Sequence, residues 1–484
     1  MAFRIYPSVG IARLGNHPSQ YYIGPEAPGH PGLDVDAQGN ESTIEHYKVG
    51  DDQIKRQAAR FRIFDVPDDG GAPIEVQLPA GATVEWTVHL VNKKAAIKRP
   101  SSPPLSPQRP QFVSNPVPLL IDPVAQQISG VNASGKKFDT GEYQGRQVPL
   151  GELRTDRRQN LLVLGGFGFS SSPSNAGFGG FYTNPGWHDD TSDGPVTARI
   201  RLSNGSTIDD IVPAWVVVAP PDFAPEIQGV VTLYDIMYQV GIDSLDLSAP
   251  PQISFTKDVF PLLLRTRRLQ WVNTDPNWSN VSDNWPALAN PSAAATPLRE
   301  ENAGYVRETE SVLSRVKLTS FQKSALDRWV AGSFVSDWAG MPNSDPVITA
   351  DGTTRATLQS TVGRGFFPGI EAGIITMDAS IYSRPFDFRV DHGQVKPGDL
   401  TALMALPWQA DFWDCRGGWW PSQRPDDVRP VAASENRLAW HRGAEDYILM
   451  VHNFPKLGFI TAQRDAQGNV VFAEDQRAPQ TAFA

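Results

Sequence analysis

The chain has 484 residues, 40% hydrophobic and 20% charged, with a formal net charge of −10 at pH 7 and a pI near 5.4. The length is roughly three domains' worth on a soft prior and is ample for a large core. The acidic balance argues against nucleic acid as a partner, since that binding rests on neutralising phosphates, and no run of about 18 apolar residues is present to cross a membrane.

A single cysteine cannot form an internal disulfide, and the segment Met1 to Pro7 has no apolar signal-peptide stretch. A cytoplasmic protein is expected, or one exported without a recognisable signal peptide. With 41 Gly and 42 Pro, the composition favours a loop-rich chain that is mainly β with minor α, its several sheets forming two intimately packed parts.

Residues 3–15 read as an opening strand and turn, and residues 55–65 pass from helix formers into an alternating strand. The clearest strand follows, with Val84, Trp86, Val88 and Leu90 alternating with Glu85, Thr87 and His89. Seven prolines between residues 99 and 118 predict an extended surface loop. The glycine-rich stretch 165–180 has neither P-loop nor dinucleotide spacing and reads as loop. The cluster from His188 to Asp193 has the donors for a hard cation, but the EF-hand spacing is absent, and a turn built on Asp side chains is favoured; no metal site is expected.

Arg199 to Leu202, meeting Asn204-Gly205, predicts a hairpin, and Trp215 to Ala219 a strand buried on both faces. Ala249-Pro250-Pro251 is read as the boundary between an N-terminal domain, 1–248, and a C-terminal domain, 249–484. Arg265-Thr266-Arg267-Arg268, after Leu262-Leu263-Leu264, is read as a solvated basic face. Residues 287–300 read as a loop, and the strongest helix as the one that Thr319 and Gln322 open with a capping box and Gly332 stops. Residues 385–406 read as strand-like, and 465–472 as a hairpin turn and strand.

The stretch from Pro407 to Val428 holds the sole cysteine, Cys415, and four of the 13 tryptophans. Asp411 lies four residues before Cys415, on the same face if this piece is helical; Pro407 and Pro421 allow only a short helix. A thiol, a carboxylate and indoles suit redox or nucleophilic chemistry. They equally suit an aromatic core holding a small apolar cysteine.

With these segments in view, the chain resembles the lysine ε-oxidase and glycine oxidase family, whose members carry cysteine tryptophylquinone, a cofactor built from a Cys and a Trp of one chain. The resemblance rests on Ile5 to Asn16, Tyr22 to Glu26, Lys55 to Phe64, His89 to Lys94, Asp189 to Val196, Ala214 to Pro225, Phe367 to Glu371 and Trp408 to Val428. It implies an oxidase that deaminates a primary amine or amino acid with dioxygen, giving hydrogen peroxide and ammonia. It also implies a flavoprotein maturation partner, a homo-oligomer, Cys415 as the thioether half of the cofactor, and Asp411 as the carboxylate beside the reacting amine. Asp411 suits a general base, because Trp408, Phe412 and Trp413 can desolvate it.

One position departs from the family pattern. Where the family has Met-Val-x-x-Trp-x-x-Leu-Gly-Phe, this chain reads Met450-Val451-His452-Asn453-Phe454-Pro455-Lys456-Leu457-Gly458-Phe459. Phe454 holds the tryptophan's place, and a phenyl ring cannot become an indole quinone. Three readings stay open. Trp440, Trp419 or Trp420 serves as the alternative cross-link partner; or Asp411, Cys415 and His452 support a different chemistry in the inherited pocket; or the chain is a catalytically silent binding protein.

Overall fold

The computed structural model describes residues 2–313, 316–341, 346–363, 372–414 and 420–483. Cys415, Trp419 and the Phe367 to Glu371 string lie outside these residues. Among the described residues the architecture is mainly β with minor α, built on a large mixed sheet.

Nine strands form the spine of that sheet: β1 (Val9–Arg13), β2 (Arg56–Val66), β3 (Thr83–Val88), β4 (Gln126–Ser129), β5 (Lys136–Lys137), β6 (Gly151–Thr155), β7 (Leu161–Gly165), β8 (Ser192–Arg201) and β9 (Ala214–Ala219). Their order is β4-β3-β8-β9-β1-β2-β7-β6-β5. β1 and β9 run parallel, Val9 opposite Trp215 and Arg13 opposite Ala219, while β8 meets β9 antiparallel. These central strands are buried on both faces, which is why β9 reads as an unbroken apolar run. β3 shows the period of two, its even positions Val84, Trp86 and Val88 buried.

Helices gather in the second half: α1 (Leu233–Ser244), α2 (Phe260–Arg268), α3 (Thr296–Val312), α4 (Ser320–Val330), α5 (Ala350–Gln359), α6 (Trp408–Asp414) and α7 (Tyr447–Asn453). α5 lies against β1: Thr354 and Thr357 accept the amides of Ser8 and Ile11 at 3.0 and 3.1 Å. One hydrophobic cluster runs from Ile5, Phe61 and Val216 in the sheet to Trp408, Phe412 and Phe454.

The capping box on Thr319 and Gln322 forms as expected, and the hairpin after Arg201 pairs Ile200 with Ile208. Three expectations are corrected. The loop expected over 287–300 gives way at Thr296 to the 17-residue α3. Its buried face is made of Arg299, Asn302, Ala303, Val306 and Thr309, so polar side chains mask the helical period. Residues 385–406 form turns and coil with isolated bridges rather than a strand. The basic run of α2 is not a solvated face: Arg265 is 4% exposed and pairs with Asp235 at 2.9 Å. No helix among the described residues is long and apolar enough to cross a membrane.

Candidate active site

Pro407 precedes α6 and sets its start. Trp408, Gln409, Ala410, Asp411 and Phe412 are all buried, so the helix is enclosed on every side rather than laid on a surface. Trp408 and Phe412, one turn apart, meet edge to face at 4.8 Å, and Phe412 meets Trp420 at 4.9 Å. Asp411, 4% exposed, belongs to this enclosed helix.

The start of α6 is held from the sheet side. Trp408 N donates to Asp189 Oδ2 at 3.0 Å, giving an otherwise orphaned first-turn amide a charged acceptor. Asp189 also accepts from Asn92 Nδ2 at 3.0 Å and pairs with Lys94 Nζ, both side chains of that pair being fully buried. Lys94 donates to Thr191 Oγ1 as well, at 3.2 Å. Burial pulls the Lys94 pKa below its ordinary value against the opposing pull of Asp189.

α7 and the turn after it form the facing wall. Asp446 caps α7 by accepting from Leu449 N, and Tyr447 Oη donates to Asp414 Oδ2 at 2.8 Å, joining the ends of the two helices. The Phe454 ring, 2% exposed, stands edge-on to Trp408 at 5.0 Å. Its tip reaches the glycine-rich loop, where a Cβ on Gly168 would lie 2.5 Å from it, and Gly168 has φ +76°. Glycine is required there on both counts. Gln409 ties α6 to the same loop, donating to Gly168 O at 2.8 Å and accepting from Ser170 Oγ at 2.6 Å.

Asp190 fixes the loop from below, accepting from Gly168 N at 2.8 Å and Phe169 N at 3.3 Å. Burial, then the neighbouring Asp189, push its pKa from 3.8 to about 8. A carboxyl raised by folding holds its proton more tightly in the folded chain. Its stabilisation is full below the unfolded value and drains as pH rises towards about 8. Asp190→Asn cannot ionise, so it should gain on the parent chain by a few kcal/mol as pH rises from about 4 to 9. Urea denaturation across that range measures it; a difference that does not change with pH contradicts the assignment.

The structure therefore places Asp411 and Phe454 on the two walls that meet at Trp408. His452 is exposed in the last turn of α7 between buried Val451 and Asn453, so it is not brought to the buried cluster; the helical period turns it outward. Trp440 is buried one layer away, its ring 4.8 Å from Phe223 and its Nε1 donating to Gly458 O at 2.9 Å. That bond gives the indole a structural role. The turn favoured around 188–193 is instead a strut whose carboxylates reach distant segments: Asp189 holds α6, Asp190 the loop, and Asp193 accepts from Thr401 N at 2.8 Å and Trp215 Nε1 at 3.0 Å.

Two family models match this chain, the L-lysine ε-oxidase N-terminal model over residues 6–218 and the L-lysine ε-oxidase C-terminal domain model over residues 301–436. The chain belongs to the L-lysine ε-oxidase family of oxidoreductases. It is 28% identical to L-lysine 6-oxidase of Marinomonas mediterranea, covering 86% of this chain and 71% of that one. The solved ε-lysine oxidase of that organism superposes with a TM-score of 0.81 at 23% identity, covering 98% of this chain and 95% of that one. The Schiff base intermediate of the same organism's L-Lys ε-oxidase with L-Lys gives 0.79 at 22%, with the same coverage.

The lysine ε-oxidase fold thus accounts for the sheet and for the α6 stretch within the C-terminal match. Phe454 lies past residue 436, where that match ends. The residues present do not fit cysteine tryptophylquinone at this position. The ring between Trp408 and Gly168 is a phenyl, with neither pyrrole nitrogen nor second ring to carry the quinone.

Proposed function

We propose that the protein is an oxidoreductase of amines, taking a primary amine or amino acid between α6 and the turn at Phe454. The overall reaction is R–CH2–NH2 + O2 + H2O → R–CHO + NH3 + H2O2. The observation that carries this reading is Asp411, buried on a helix held in place by Asp189, by Gly168 of the glycine-rich loop and by Tyr447. Asp411 is placed to accept a proton from the bound amine, and Trp408 and Phe412 keep water from the site. The two electrons the amine gives up need an acceptor between it and dioxygen, which the phenyl ring of Phe454 cannot be. A flavoprotein partner that matures the site belongs to this reading. No step is assigned to a quinone at position 454.

Phe454 itself favours a second reading, in which the inherited site binds an amine without oxidising it or carries out a different chemistry. Incubating the protein with a panel of amines and amino acids, while following oxygen uptake, peroxide and intact mass, separates the two. Oxygen uptake is expected, and Asp411→Ala is expected to cut it by about 10²–10⁴-fold. Silence across the panel, with an unmodified mass, removes the oxidase reading and leaves the second.

A further inference from the structure

The basic run that ends α2 opens onto a cleft of about 550 Å³, a size suited to a small-molecule ligand. Lys257, Arg268 and Arg355 line it, and none of the three has a carboxylate within ion-pair distance among the described residues. Arg265 reaches the same cleft but is already paired with Asp235. One carboxylate, Glu226, is among the described lining residues, and its Oε1 accepts from Ala462 N at 3.4 Å. In a chain of net charge −10, four cationic side chains against one carboxylate in the lining of one hollow mark a local reversal of sign.

Beyond ion-pair distance Glu226 acts on Arg268, and Asp258 on Arg355 and Lys257; the direct contacts are with backbone oxygens and a ring. Arg268 Nη1 donates to Glu226 O at 2.9 Å, and Arg355 Nη2 to Lys257 O at 3.3 Å, with its guanidinium 5.3 Å from the Tyr234 ring centroid. Lys257 is exposed. Guanidinium groups offer planar paired donors that match phosphate oxygens. The lining is also aromatic: Trp338 is half-buried, its ring 4.6 Å from Phe260. Prolines 25, 28, 31, 225 and 261 stiffen the rest, so the hollow is formed before any ligand arrives.

We infer that this cleft binds a small molecule with a flat apolar body and a phosphate-type dianion, the chemistry a nucleotide presents. The phosphate meets Lys257, Arg268 and Arg355, and the flat body lies on Trp338. This site is separate from the walls around Asp411, and the inference does not rest on the oxidase reading.

The full chain is titrated by calorimetry at low salt with ADP, flavin mononucleotide, adenosine and inorganic phosphate. At least one of the two nucleotides is expected to bind with a Kd of about 0.1 mM, and adenosine and phosphate at least about tenfold more weakly, each holding half of the recognised chemistry. Lys257→Ala, an exposed change that leaves the fold intact, and Arg355→Gln should each weaken nucleotide binding about tenfold or more. Arg109→Gln, at a half-buried arginine that does not line this cleft, should leave it unchanged. Silence from both nucleotides up to about 5 mM overturns the proposal. Equal binding of adenosine or phosphate does so too, as does nucleotide binding that neither Lys257→Ala nor Arg355→Gln weakens.

Discussion

Lys94→Met is expected to lower the unfolding free energy by about 3–5 kcal/mol, because it removes one partner of an ion pair with no access to water. Asp189 would be left as an uncompensated charge in the interior while still accepting from Asn92 and Trp408 N. Its desolvation, repaid in the parent chain by the ammonium at hydrogen-bond distance, would stand alone. Replacing both partners with apolar residues should not restore full stability, since the α6 amide and the Asn92 amide would then lack their acceptor. Urea denaturation of Lys94→Met measures the effect. A loss under about 1 kcal/mol would contradict the reading, being the range of exposed pairs. Because Asp189 fixes the start of the helix that carries Asp411, any turnover should fall with stability.

The second large effect is expected from Phe454→Trp. If position 454 is where the family places its cofactor tryptophan, this substitution returns the missing indole to its contact with Trp408. The added ring should cost about 1–3 kcal/mol, since the phenyl tip already fills the space against Gly168. Co-expressed with a flavoprotein of the family's maturation type, the variant should acquire visible absorption, and its Cys415 peptide should be joined to the 454 peptide. Adding Asp411→Ala should abolish both. A folded Phe454→Trp protein with unmodified mass and no absorption would show that position 454 does not carry the cofactor here.

Much of the sheet was legible from the sequence because its signal is local. Period two in Thr83–Val88, the apolar run Ala214–Ala219 and the Asn204-Gly205 turn each reside within a few residues. α3 was not legible, because Arg299 and Asn302 are buried on its packed face. Arg299 supplies five polar contacts, among them Asn290 O, Ser292 O and Val330 O, so a charged residue occupies a core position.

In the candidate site, Asp411 was singled out by its spacing from Cys415 and Phe454 by its departure from the family motif, and the structure adds that Trp408, on the helix of Asp411, packs on Phe454. Lys94 and Asp189 sat within strings already noted, yet nothing in a one-dimensional chain tells that residues 95 apart form a buried pair. His452 illustrates the converse. Closeness in sequence to Phe454 said nothing about which way α7 turns it.

The strut of carboxylates at 189–193 also bears on the order in which the chain can acquire its structure. Asp189 and Asp193 find acceptor roles on Trp408 N, Leu400 N and Thr401 N, all about 200 residues downstream. During synthesis, at about 5–20 residues per second, those donors emerge well after the carboxylates they meet. Until they do, the acidic turn has only Lys94, Asn92, Trp215 and the glycine-rich loop to meet it, and water is its better partner. The sheet made first therefore waits for the distal segment for its final closure, and a chain stopped before residue 400 keeps that seam open.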